Sequence, residues 1–369
     1  MKKKFEKLVR KEISQFEPYM PGKPINELKR ELGLKRIVKL ASNENSYGTS
    51  SNVLKKLAKI HDLYRYPESS CYDLRQIIAK KNKINQSLLL FGNGSDEIIE
   101  LLGKTFLNKE DNIIASKHSF IRYKMASDLM GAKTKEIKMT KDLNYDVNKI
   151  INSIDKNTKM IFIANPNNPT GTYIAKKEFE LLLKSIPKNV LLIMDEAYYE
   201  YIDLKDYPQT INYLKKYPNL VILRTFSKLY GLAGMRIGYM IANEEIISYI
   251  DRIRPPFNVN LIAQKIAVEA LKDNKTLARV KNKIQKQKEY LYKEFNKLNI
   301  KYVSSAANFI LFKCSLKGKA IFKKLLKEGV IIRAVDEYEL PDYARVTIGT
   351  ENENRYFISK LKKVLEETK

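Results

Sequence analysis

Residues Leu220–Ile241 read LVILRTFSKLYGLAGMRIGYMI, and this stretch places a lysine, Lys228, between two short apolar runs. The first run, Leu220–Thr225, has the length and the apolar content of a buried strand. The second run, Arg236–Ile241, has the same character, and a loop with two glycines separates the two runs. The stretch therefore predicts two strands, with a lysine just beyond the end of the first.

Short apolar runs of this kind alternate with amphipathic segments from about Ser87 to Asn243. The predicted strands are Leu88–Phe91, Asn112–Ala115, Thr134–Met139, Met160–Ala164, Val190–Met194, Leu220–Thr225 and Arg236–Ile241. The helices predicted between them include Asp96–Leu107, Phe120–Met130, Val147–Ile154 and Lys176–Ser185. Apolar strands separated by helices indicate an α/β fold, in which helices cover both faces of a mostly parallel sheet.

The pattern changes after Pro255 and Pro256, where a helical pattern runs from about Leu261 to Leu298. This pattern is too long to be read as one uninterrupted helix. The elements predicted after it are strands at Asn308–Phe312, Val330–Arg333 and Arg345–Ile348, a helix through Glu328 and a closing helix from Glu351. We therefore predict a large domain over residues 46–257 and a smaller α+β domain over residues 258–369. Residues 1–45 are predicted to form an arm and a helix that pack on the small domain or on a partner chain.

The composition is that of a globular protein with a large core: of 369 residues, 44% are hydrophobic and 30% are charged. The 68 basic and 42 acidic side chains give a net charge of +26, which is compatible with a nucleic-acid-binding protein. However, the lysines are spread over most helical segments and are mixed with acidic residues. We therefore interpret the charge as a lysine-rich solvated surface and expect no nucleic-acid partner.

The small numbers of cysteines and histidines exclude or disfavour several kinds of site. Cys71 and Cys314 lie far apart in the chain, which predicts reduced thiols rather than a structural disulfide. With only His61 and His118, a multi-histidine metal site is excluded and a Ser-His-Asp hydrolase is disfavoured. The N-terminus lacks the apolar stretch of a signal peptide, and runs such as Val190–Met194 are shorter than a membrane span. We expect a cytoplasmic protein with no metal site and no membrane partner.

Polar segments follow two of the predicted strands, at the edge of the sheet where α/β proteins bind ligands. After Leu88–Phe91 comes GNGSDE (92–97), whose small residues would let the backbone approach an anion at the start of a helix. After Met160–Ala164 comes NPNNPTG (165–171), where a rigidly held asparagine could donate to a ligand oxygen. Taken alone, each segment is equally compatible with a tight turn.

Charged residues follow two further strands. Asp195 comes directly after Val190–Met194, where desolvation would penalise an unpaired carboxylate, so it needs a cationic partner from the protein or from a ligand. Lys228 is a candidate amine nucleophile, because desolvation and neighbouring cations lower the pKa of a lysine. Ser227 and Arg236 could hold a phosphate, the arginine through a forked pair of hydrogen bonds. Together, the four strand ends indicate one ligand site.

In these segments the chain resembles the pyridoxal-phosphate-dependent aminotransferases of fold type I. The resemblance rests on GNGSDE (92–97), NPNNPTG (165–171), DEAYYEY (195–201), FSKLYGLAGMRIGY (226–239) and ARVTIGT (344–350). Within that family the chain is most similar to the histidinol-phosphate aminotransferases, through PYMPGKP (18–24), LASNEN (40–45), YRYP (64–67) and RTFSK (224–228). The resemblance implies a large domain with a mostly parallel mixed sheet between helices, a smaller α+β domain, and pyridoxal phosphate as the cofactor.

The resemblance also implies roles around the cofactor ring. Lys228 would form the Schiff base with the cofactor aldehyde and then act as the general base. Asp195 would pair with the protonated pyridine nitrogen, so that the ring can withdraw electrons from the substrate. Asn168 and Tyr198 would hydrogen-bond the phenolate oxygen, which makes Tyr198 the third catalytic residue. Phe120 would stack on the ring, where the family commonly has a tyrosine.

At the other end of the cofactor, the resemblance implies a phosphate site shared between two subunits. The residues implied to hold the phosphate are Gly94, Ser95 and Asp96 through their backbone, with Ser227 and Arg236. Tyr66 would reach the phosphate of the neighbouring subunit's cofactor. The active unit would therefore be a homodimer with shared sites.

Four residues are implied to contact the substrate. Arg345 would bind the α-carboxylate of glutamate in one half-reaction and the phosphate of the phosphorylated amine in the other. Arg333 would be the second anion contact, Tyr19 would close over the substrate from the arm, and Asn45 would complete the substrate site. Arg122, near the stacking ring, could add positive potential at the mouth or face solvent.

The implied reaction interconverts L-histidinol phosphate and 2-oxoglutarate with imidazole-acetol phosphate and L-glutamate, a step of histidine biosynthesis. An aromatic amino acid aminotransferase is an alternative, because the same fold and motifs serve both enzymes. A decarboxylase that acts on threonine phosphate is a second alternative with the same cofactor. Relative rates on a substrate panel and release of carbon dioxide would separate the three.

Overall fold

The computed structural model describes residues 5–16 and 23–368, and within these ranges it contains twelve α-helices and thirteen β-strands. The helices are α1 (Ile25–Leu32), α2 (Ser51–Leu57), α3 (Tyr72–Asn82), α4 (Ser95–Phe106), α5 (Arg122–Leu129), α6 (Val147–Asn152), α7 (Lys176–Ser185), α8 (Glu244–Asp251), α9 (Leu261–Lys272), α10 (Asn274–Lys297), α11 (Gly318–Lys327) and α12 (Glu351–Glu366). The strands are β1 (Val38–Lys39), β2 (Leu89–Gly92), β3 (Asn112–Ser116), β4 (Lys133–Ile137), β5 (Thr158–Ala164), β6 (Leu191–Asp195), β7 (Leu220–Thr225), β8 (Gly238–Ile241), β9 (Lys301–Tyr302), β10 (Phe309–Lys313), β11 (Val330–Ile331), β12 (Arg333–Ala334) and β13 (Ala344–Thr347).

The larger sheet has seven strands in the order β2-β8-β7-β6-β5-β3-β4. Strand β8 is antiparallel to both of its neighbours, β2 and β7, and the other pairs in the sheet are parallel. The carboxyl ends of β5, β6 and β7 therefore lie next to one another at one edge of the sheet. This is the mixed, mostly parallel sheet that the sequence predicts.

The central strands are apolar because helices cover both of their faces. In β5, Ile161 and Ile163 belong to a core shared with α3, α7 and α9, whereas Phe162 between them belongs to a second core, shared with α4, α5 and α8. Side chains alternate between the faces of a strand, so a strand covered on both sides needs an apolar residue at nearly every position. Each fully buried Ile or Phe contributes about 1.5–3 kcal/mol to the stability of the fold.

The smaller sheet has four antiparallel strands in the order β12-β13-β10-β9. Phe295, Phe312 and Phe357 bring α10, β10 and α12 together in its core, with ring centroids 5.2–6.2 Å apart. Strand β1 pairs in parallel with β11, and the N–H of Thr347 in β13 donates to the carbonyl of Leu40 at 2.8 Å. These contacts place residues 41–44 beside β13, close to the carboxyl edge of the large sheet.

The α/β fold class with a large mixed sheet is confirmed, and the predictions of Leu220–Thr225 and Lys176–Ser185 match β7 and α7 residue for residue. The helical pattern over 261–298 forms two helices, α9 and α10, that meet at Asp273. Asp273 accepts a hydrogen bond from the N–H of Thr276 at 3.1 Å and so caps α10. The helical spacing of apolar residues continues from α9 into α10, which is why the sequence pattern looks like one helix.

The predicted strand over Val330–Arg333 is in fact two strands, β11 and β12, which belong to different sheets. The chain changes pairing partners there, and a run of apolar residues does not reveal that change. The domain boundaries at 45/46 and 257/258 remain predictions. Among the described residues, every helix is too short or too polar to cross a lipid bilayer. Both cysteines, Cys71 and Cys314, are free.

Candidate active site

A cavity of about 270 Å³ lies at the carboxyl edge of the large sheet. The residues that follow β5, β6 and β7 form its floor, and the amino end of α4 and a residue of β13 contribute to its walls. The predicted site residues that line it are Ser95, Asp96, Phe120, Asn168, Asp195, Tyr198, Ser227, Lys228, Arg236, Arg333 and Arg345. The fold therefore gathers residues that are far apart in the sequence into one place.

Asp195 is the last residue of β6, and only 4% of its surface is exposed. Its carboxylate accepts two hydrogen bonds, from the hydroxyl of Tyr123 to Oδ2 at 2.6 Å and from the N–H of Ala197 to Oδ1 at 3.1 Å. Burial raises the pKa of Asp195 to about 6, and these two donors oppose the rise. The neighbouring carboxylates of Asp96 and Glu196 raise the pKa of Asp195 further. A cationic ligand at this position would offset the cost of burying the charge.

This burial predicts a pH dependence of stability in the cofactor-free protein. The carboxyl of Asp195 has an ordinary pKa of 3.8 and a folded pKa of about 6, so the folded state loses stability as the pH rises through this window. The loss amounts to about 3 kcal/mol and persists above the window. Because an asparagine does not titrate, the unfolding free energy of the wild type relative to Asp195→Asn should fall by that amount between about pH 4 and pH 7. Urea unfolding of both proteins at several pH values measures this difference, and a pH-independent difference would contradict the assigned cause.

Lys228 lies beyond the end of β7 and is half-buried at the floor of the cavity. Its Nζ donates to the carbonyl of Ser42 at 3.4 Å and lies 5.5 Å from the centre of the Tyr198 ring. A hydrogen bond of that length is weak, so the amine is free to form a closer contact with a ligand. The preceding turn is fixed by the hydroxyl of Thr225, which accepts from the N–H of Ser227 at 3.1 Å.

Asn168 and Tyr198 each have one hydrogen-bonding position occupied by the protein. The side-chain oxygen of Asn168 accepts from Nη1 of Arg345, so its NH₂ group is the end that can donate to a ligand. The hydroxyl of Tyr198 accepts from Nδ2 of Asn43 at 2.9 Å, which leaves the hydroxyl proton to donate. Both residues line the cavity, so two donors are available there for one ligand oxygen.

The opposite end of the cavity is suited to an anion. Gly94 directly precedes α4, whose first N–H groups and helix dipole favour negative charge. Nη2 of Arg236 lies 3.1 Å from Oδ2 of Asp96, and its Nη1 lies 3.4 Å from the hydroxyl of Ser227. A phosphate bound here would meet a guanidinium, a hydroxyl and the helix amino end together.

Gly94→Ala is expected to weaken anion binding at this end of the cavity. A Cβ at position 94 would lie 2.6 Å from Nη2 of Arg236, and the φ of +79° is one that alanine rarely adopts. Gly33→Ala is the matched control, because Gly33 has a φ of +63° but its Cβ would meet nothing within 4 Å. We expect the Kd for pyridoxal phosphate to rise roughly tenfold or more in Gly94→Ala and to stay unchanged in Gly33→Ala. Equal affinities in the two variants, measured by fluorescence titration, would contradict this prediction.

The structure brings two of the remaining predicted residues to the cavity. Phe120 lines the cavity, and its ring makes an edge contact with Tyr123 at 5.7 Å between centroids. Arg333 also lines the cavity, and its Nη2 donates to both carboxylate oxygens of Glu337 at 2.6 and 2.7 Å. The acidic partner fixes the position of the Arg333 guanidinium and offsets part of its charge.

Among the described residues, the predicted site residues Tyr66 and Asn45 do not line this cavity. Tyr66 is 82% exposed and stacks on Phe257 with centroids 4.8 Å apart. Asn45 lies outside the cavity lining, since its Nδ2 donates to the carbonyl of Leu229 at 2.9 Å and its side-chain oxygen caps a turn at Tyr47. Tyr19 lies outside the described residues. The substrate role of Asn45 and the arm contact of Tyr19 remain predictions.

The structure also adds residues that the sequence did not single out. Asn43, Tyr123 and Tyr338 line the cavity beside the predicted set. Asn43 is buried and has a left-handed φ of +54°. Asparagine adopts this backbone conformation more often than most residues do, and that preference is the one sequence signal that could have drawn attention to Asn43. Arg122 lies 3.8 Å from Asp96 and 3.7 Å from Glu100. The side chain of Arg122 is thus directed at acidic groups on α4.

Comparison with known proteins identifies the family. The family model described as aminotransferase class I and II matches residues 35–361. The chain belongs to the class I and II aminotransferases. This aminotransferase is 44% identical over 359 residues to the histidinol-phosphate aminotransferase of Caldicellulosiruptor saccharolyticus, which covers 97% of this chain and 100% of that protein. It is 40% identical to the histidinol-phosphate aminotransferase of Moorella thermoacetica, over 96% of this chain and 92% of the relative. The resemblance to histidinol-phosphate aminotransferases is therefore confirmed.

Solved structures agree with this assignment. The histidinol-phosphate aminotransferase of Clostridium acetobutylicum superimposes with a TM-score of 0.83 at 29% identity, covering 90% of this chain and 100% of that one. The enzyme of Sinorhizobium meliloti, solved in complex with pyridoxal-5'-phosphate, has a TM-score of 0.88 at 24% identity, with 96% and 99% covered. The second likeness shows the shared fold.

The residues of this aminotransferase fit pyridoxal phosphate. Asp195 is a buried carboxylate without a positive charge in its two hydrogen bonds, as a pyridinium partner requires. Lys228 supplies an amine at the adjacent strand end, and the amino end of α4 with Arg236 supplies the anion site. Donors for a phenolate oxygen come from Asn168 and Tyr198. Each chemical group of the cofactor thus has a complementary residue in one cavity.

Proposed function

We propose that the protein is a pyridoxal-phosphate-dependent aminotransferase that interconverts L-histidinol phosphate and 2-oxoglutarate with imidazole-acetol phosphate and L-glutamate. The observation that carries the proposal is the single cavity in which Lys228, Asp195 and two arginines, Arg333 and Arg345, meet. Near full-length similarity to curated histidinol-phosphate aminotransferases supports the choice of substrate. The net reaction exchanges an amino group for a carbonyl oxygen and places the protein in histidine biosynthesis.

Lys228 has the central chemical role in this proposal. When bound, pyridoxal phosphate would supply an aldehyde for the substrate nitrogen and an electron sink for the bonds of the substrate α-carbon. Nζ of Lys228 would take the proton from the substrate α-carbon as a general base and, as a general acid, would deliver it to the aldehyde carbon of the cofactor. Asp195 would stabilise a positive charge on the ring nitrogen, which would maintain the electron withdrawal. Asn168 and Tyr198 would donate to the ring oxygen, and Phe120 would support the face of the ring.

Arg345 is the proposed binding group for the substrate anion. Its side chain is buried, with Nη1 donating to Asn168 and Nη2 donating to the carbonyl of Ala41 at 2.6 Å. Its Nε is buried and makes no hydrogen bond to the described residues. A buried donor without a partner is costly, so a carboxylate or phosphate oxygen there would satisfy it. Arg333, fixed by Glu337, is the second proposed anion contact.

We further propose a homodimer with shared sites, located in the cytoplasm. Tyr66 supports the dimer, because its exposed ring is held away from the cavity of its own subunit by stacking on Phe257. An aromatic residue in this position is available to reach the cofactor phosphate of a second subunit. Sedimentation of the loaded enzyme tests the dimer, and activity recovered on mixing Tyr66→Phe with Lys228→Ala subunits tests the sharing of sites.

A substrate panel tests the proposed reaction directly. Purified enzyme loaded with pyridoxal phosphate is given glutamate, histidinol phosphate, phenylalanine, tyrosine and threonine phosphate in separate reactions, and the spectrum of the bound cofactor is followed. The proposal expects histidinol phosphate and glutamate to be the fastest amino donors, with no release of carbon dioxide. A faster reaction with phenylalanine would assign the enzyme to aromatic amino acids instead. Carbon dioxide released from threonine phosphate would assign it to decarboxylation.

Arg345→Lys is expected to weaken the binding of both substrates together. Lysine keeps the positive charge but cannot form the fork of hydrogen bonds, nor hold both Asn168 and Ala41. We expect KM for glutamate and for histidinol phosphate to rise by a similar factor, roughly 10- to 100-fold. Arg355→Lys is the matched control, since that exposed side chain pairs with Glu351 at the surface. An increase in KM for only one substrate would contradict a shared anion site.

A further inference from the structure

The buried hydroxyl of Tyr123 donates to Oδ2 of Asp195 at 2.6 Å, a shorter hydrogen bond than the one from the N–H of Ala197. Tyr123 lies in α5 and has no exposed surface. Its ring stacks on Phe162 of β5 with centroids 4.7 Å apart and an interplanar angle of 13°. Its edge meets the ring of Phe120 at 5.7 Å. These two contacts fix the ring and therefore the direction of the hydroxyl.

The charges and hydrogen-bond donors around Asp195 show what the Tyr123 hydroxyl does for its carboxylate. From α4, Asp96 faces it with a negative charge, and Glu196 does so from the next position in the chain. The hydroxyl-bearing rings of Tyr145 and Tyr198 lie near Asp195 and Tyr123 and carry no positive charge. Burial and these two carboxylates favour the neutral form of Asp195. The hydrogen bonds from the hydroxyl of Tyr123 and the N–H of Ala197 favour its charged form. One of these two belongs to the backbone and cannot be changed by substitution, so Tyr123 is the side chain to examine.

We propose that Tyr123 is a positioning residue for the cofactor: its hydroxyl holds Asp195 ionised and fixed in the orientation that meets the ring nitrogen. Asp195 contacts the ring, and Tyr123 acts through Asp195. The inference rests on the proposed role of Asp195 at the ring nitrogen, which is a part of the proposed function.

The hydroxyl of Tyr123 remains a donor under all relevant conditions. Burial and the adjacent Asp195 carboxylate raise the pKa of Tyr123 well above its usual value of 10. The proton therefore stays on the tyrosine, and the hydrogen bond runs in one direction, from Oη to Oδ2. A donor of this kind stabilises the charged form of the carboxylate, and removing it favours the neutral form.

The test uses the full-length enzyme, stripped of cofactor and then titrated with two probes. One probe is pyridoxal phosphate, and the other is the analogue in which a carbon replaces the ring nitrogen. In Tyr123→Phe, we expect the Kd for pyridoxal phosphate to rise roughly 10- to 100-fold near neutral pH, since the lost bond is to a charged group. The Kd for the carbon analogue should change by less than about twofold, because that analogue makes no ion pair with Asp195.

A matched control and a second background complete the design. Tyr207→Phe also removes a buried hydroxyl that donates at 2.6 Å, but to the carbonyl of Asn165, so neither Kd should change. In an Asp195→Asn background, Tyr123→Phe should no longer affect the binding of pyridoxal phosphate. The pH at which pyridoxal phosphate binding falls to half should also move upward in Tyr123→Phe, as expected if less of the carboxyl is ionised.

The outcomes separate the alternatives. An equal loss of affinity for both probes would show that Tyr123 only supports the cavity wall, and unchanged affinity for both would overturn the inference. These binding measurements need no turnover, so failure of histidinol phosphate as a substrate would leave their result intact. Conversely, if neither probe binds the wild type, the proposed function itself fails.

Discussion

Lys228→Ala is expected to abolish turnover, with a loss of at least about 10⁴-fold in kcat with either substrate. The substitution removes the amine that would bond to the cofactor and also the base that moves the substrate proton. The hydrogen bond to Ser42 that it deletes is long, so the fold should be unaffected. Steady-state kinetics measure the loss, and borohydride reduction followed by peptide mapping should label Lys228 in the wild type alone.

Two controls make this result specific. Lys149→Ala removes an exposed lysine that pairs with Asp146 at the start of α6, far from the cavity lining, and should leave kcat unchanged. Small primary amines added to Lys228→Ala should restore part of the proton transfer, as expected if the missing group is a base. Retention of near-normal turnover in Lys228→Ala would refute the role assigned to this amine.

Asp195→Asn is expected to slow the proton-transfer step by roughly 10²- to 10³-fold while cofactor remains bound. Asparagine can still accept from Tyr123 or from Ala197, which preserves the local geometry. It carries no negative charge, however, so it cannot stabilise a positive charge on the ring nitrogen. Single-turnover absorbance measurements with saturating glutamate isolate this step from substrate binding.

Asp206→Asn is the matched control for the second prediction. The carboxylate of Asp206 is also hydrogen-bonded to a tyrosine, Tyr173, at 3.0–3.1 Å, but that pair is exposed. This variant should transfer the proton at the wild-type rate. If Asp195→Asn did so as well, the charge at position 195 would have no part in the reaction.

Local sequence patterns were sufficient to predict the elements that form the site. Apolar runs of strand length recur along the chain. A strand that is buried on both faces needs an apolar residue at nearly every position, so such runs predict buried strands. The residues just beyond the ends of β5, β6 and β7 could therefore be assigned to one edge before any contact was known. Lys228 and Asp195 were found in this way, and the motifs around them carried the family resemblance that added Asn168.

Other parts of the site depend on contacts that no local pattern encodes. Tyr123 and Asp195 are 72 positions apart, and Arg345 and Asn168 are 177 positions apart. The side-chain oxygen of Asn45, a predicted substrate contact, caps a turn, and the side chain of Asn43, two residues earlier, reaches Tyr198. Asn43, which has a left-handed φ of +54°, lines the cavity, and Asn45 does not.

The amino-acid sequence by itself determined the α/β class, the family, the cofactor and the residues at the strand ends. Those features follow from hydrophobic period and short motifs, which are properties of neighbouring residues. Only the tertiary structure decided which donors hold Asp195, which of Arg333 and Arg345 is buried and how residues 41–44 enter the site. These features arise where residues 41–44, α5 and β13 meet at the cavity, because the energy of a buried hydrogen bond depends on distances that only the folded chain sets.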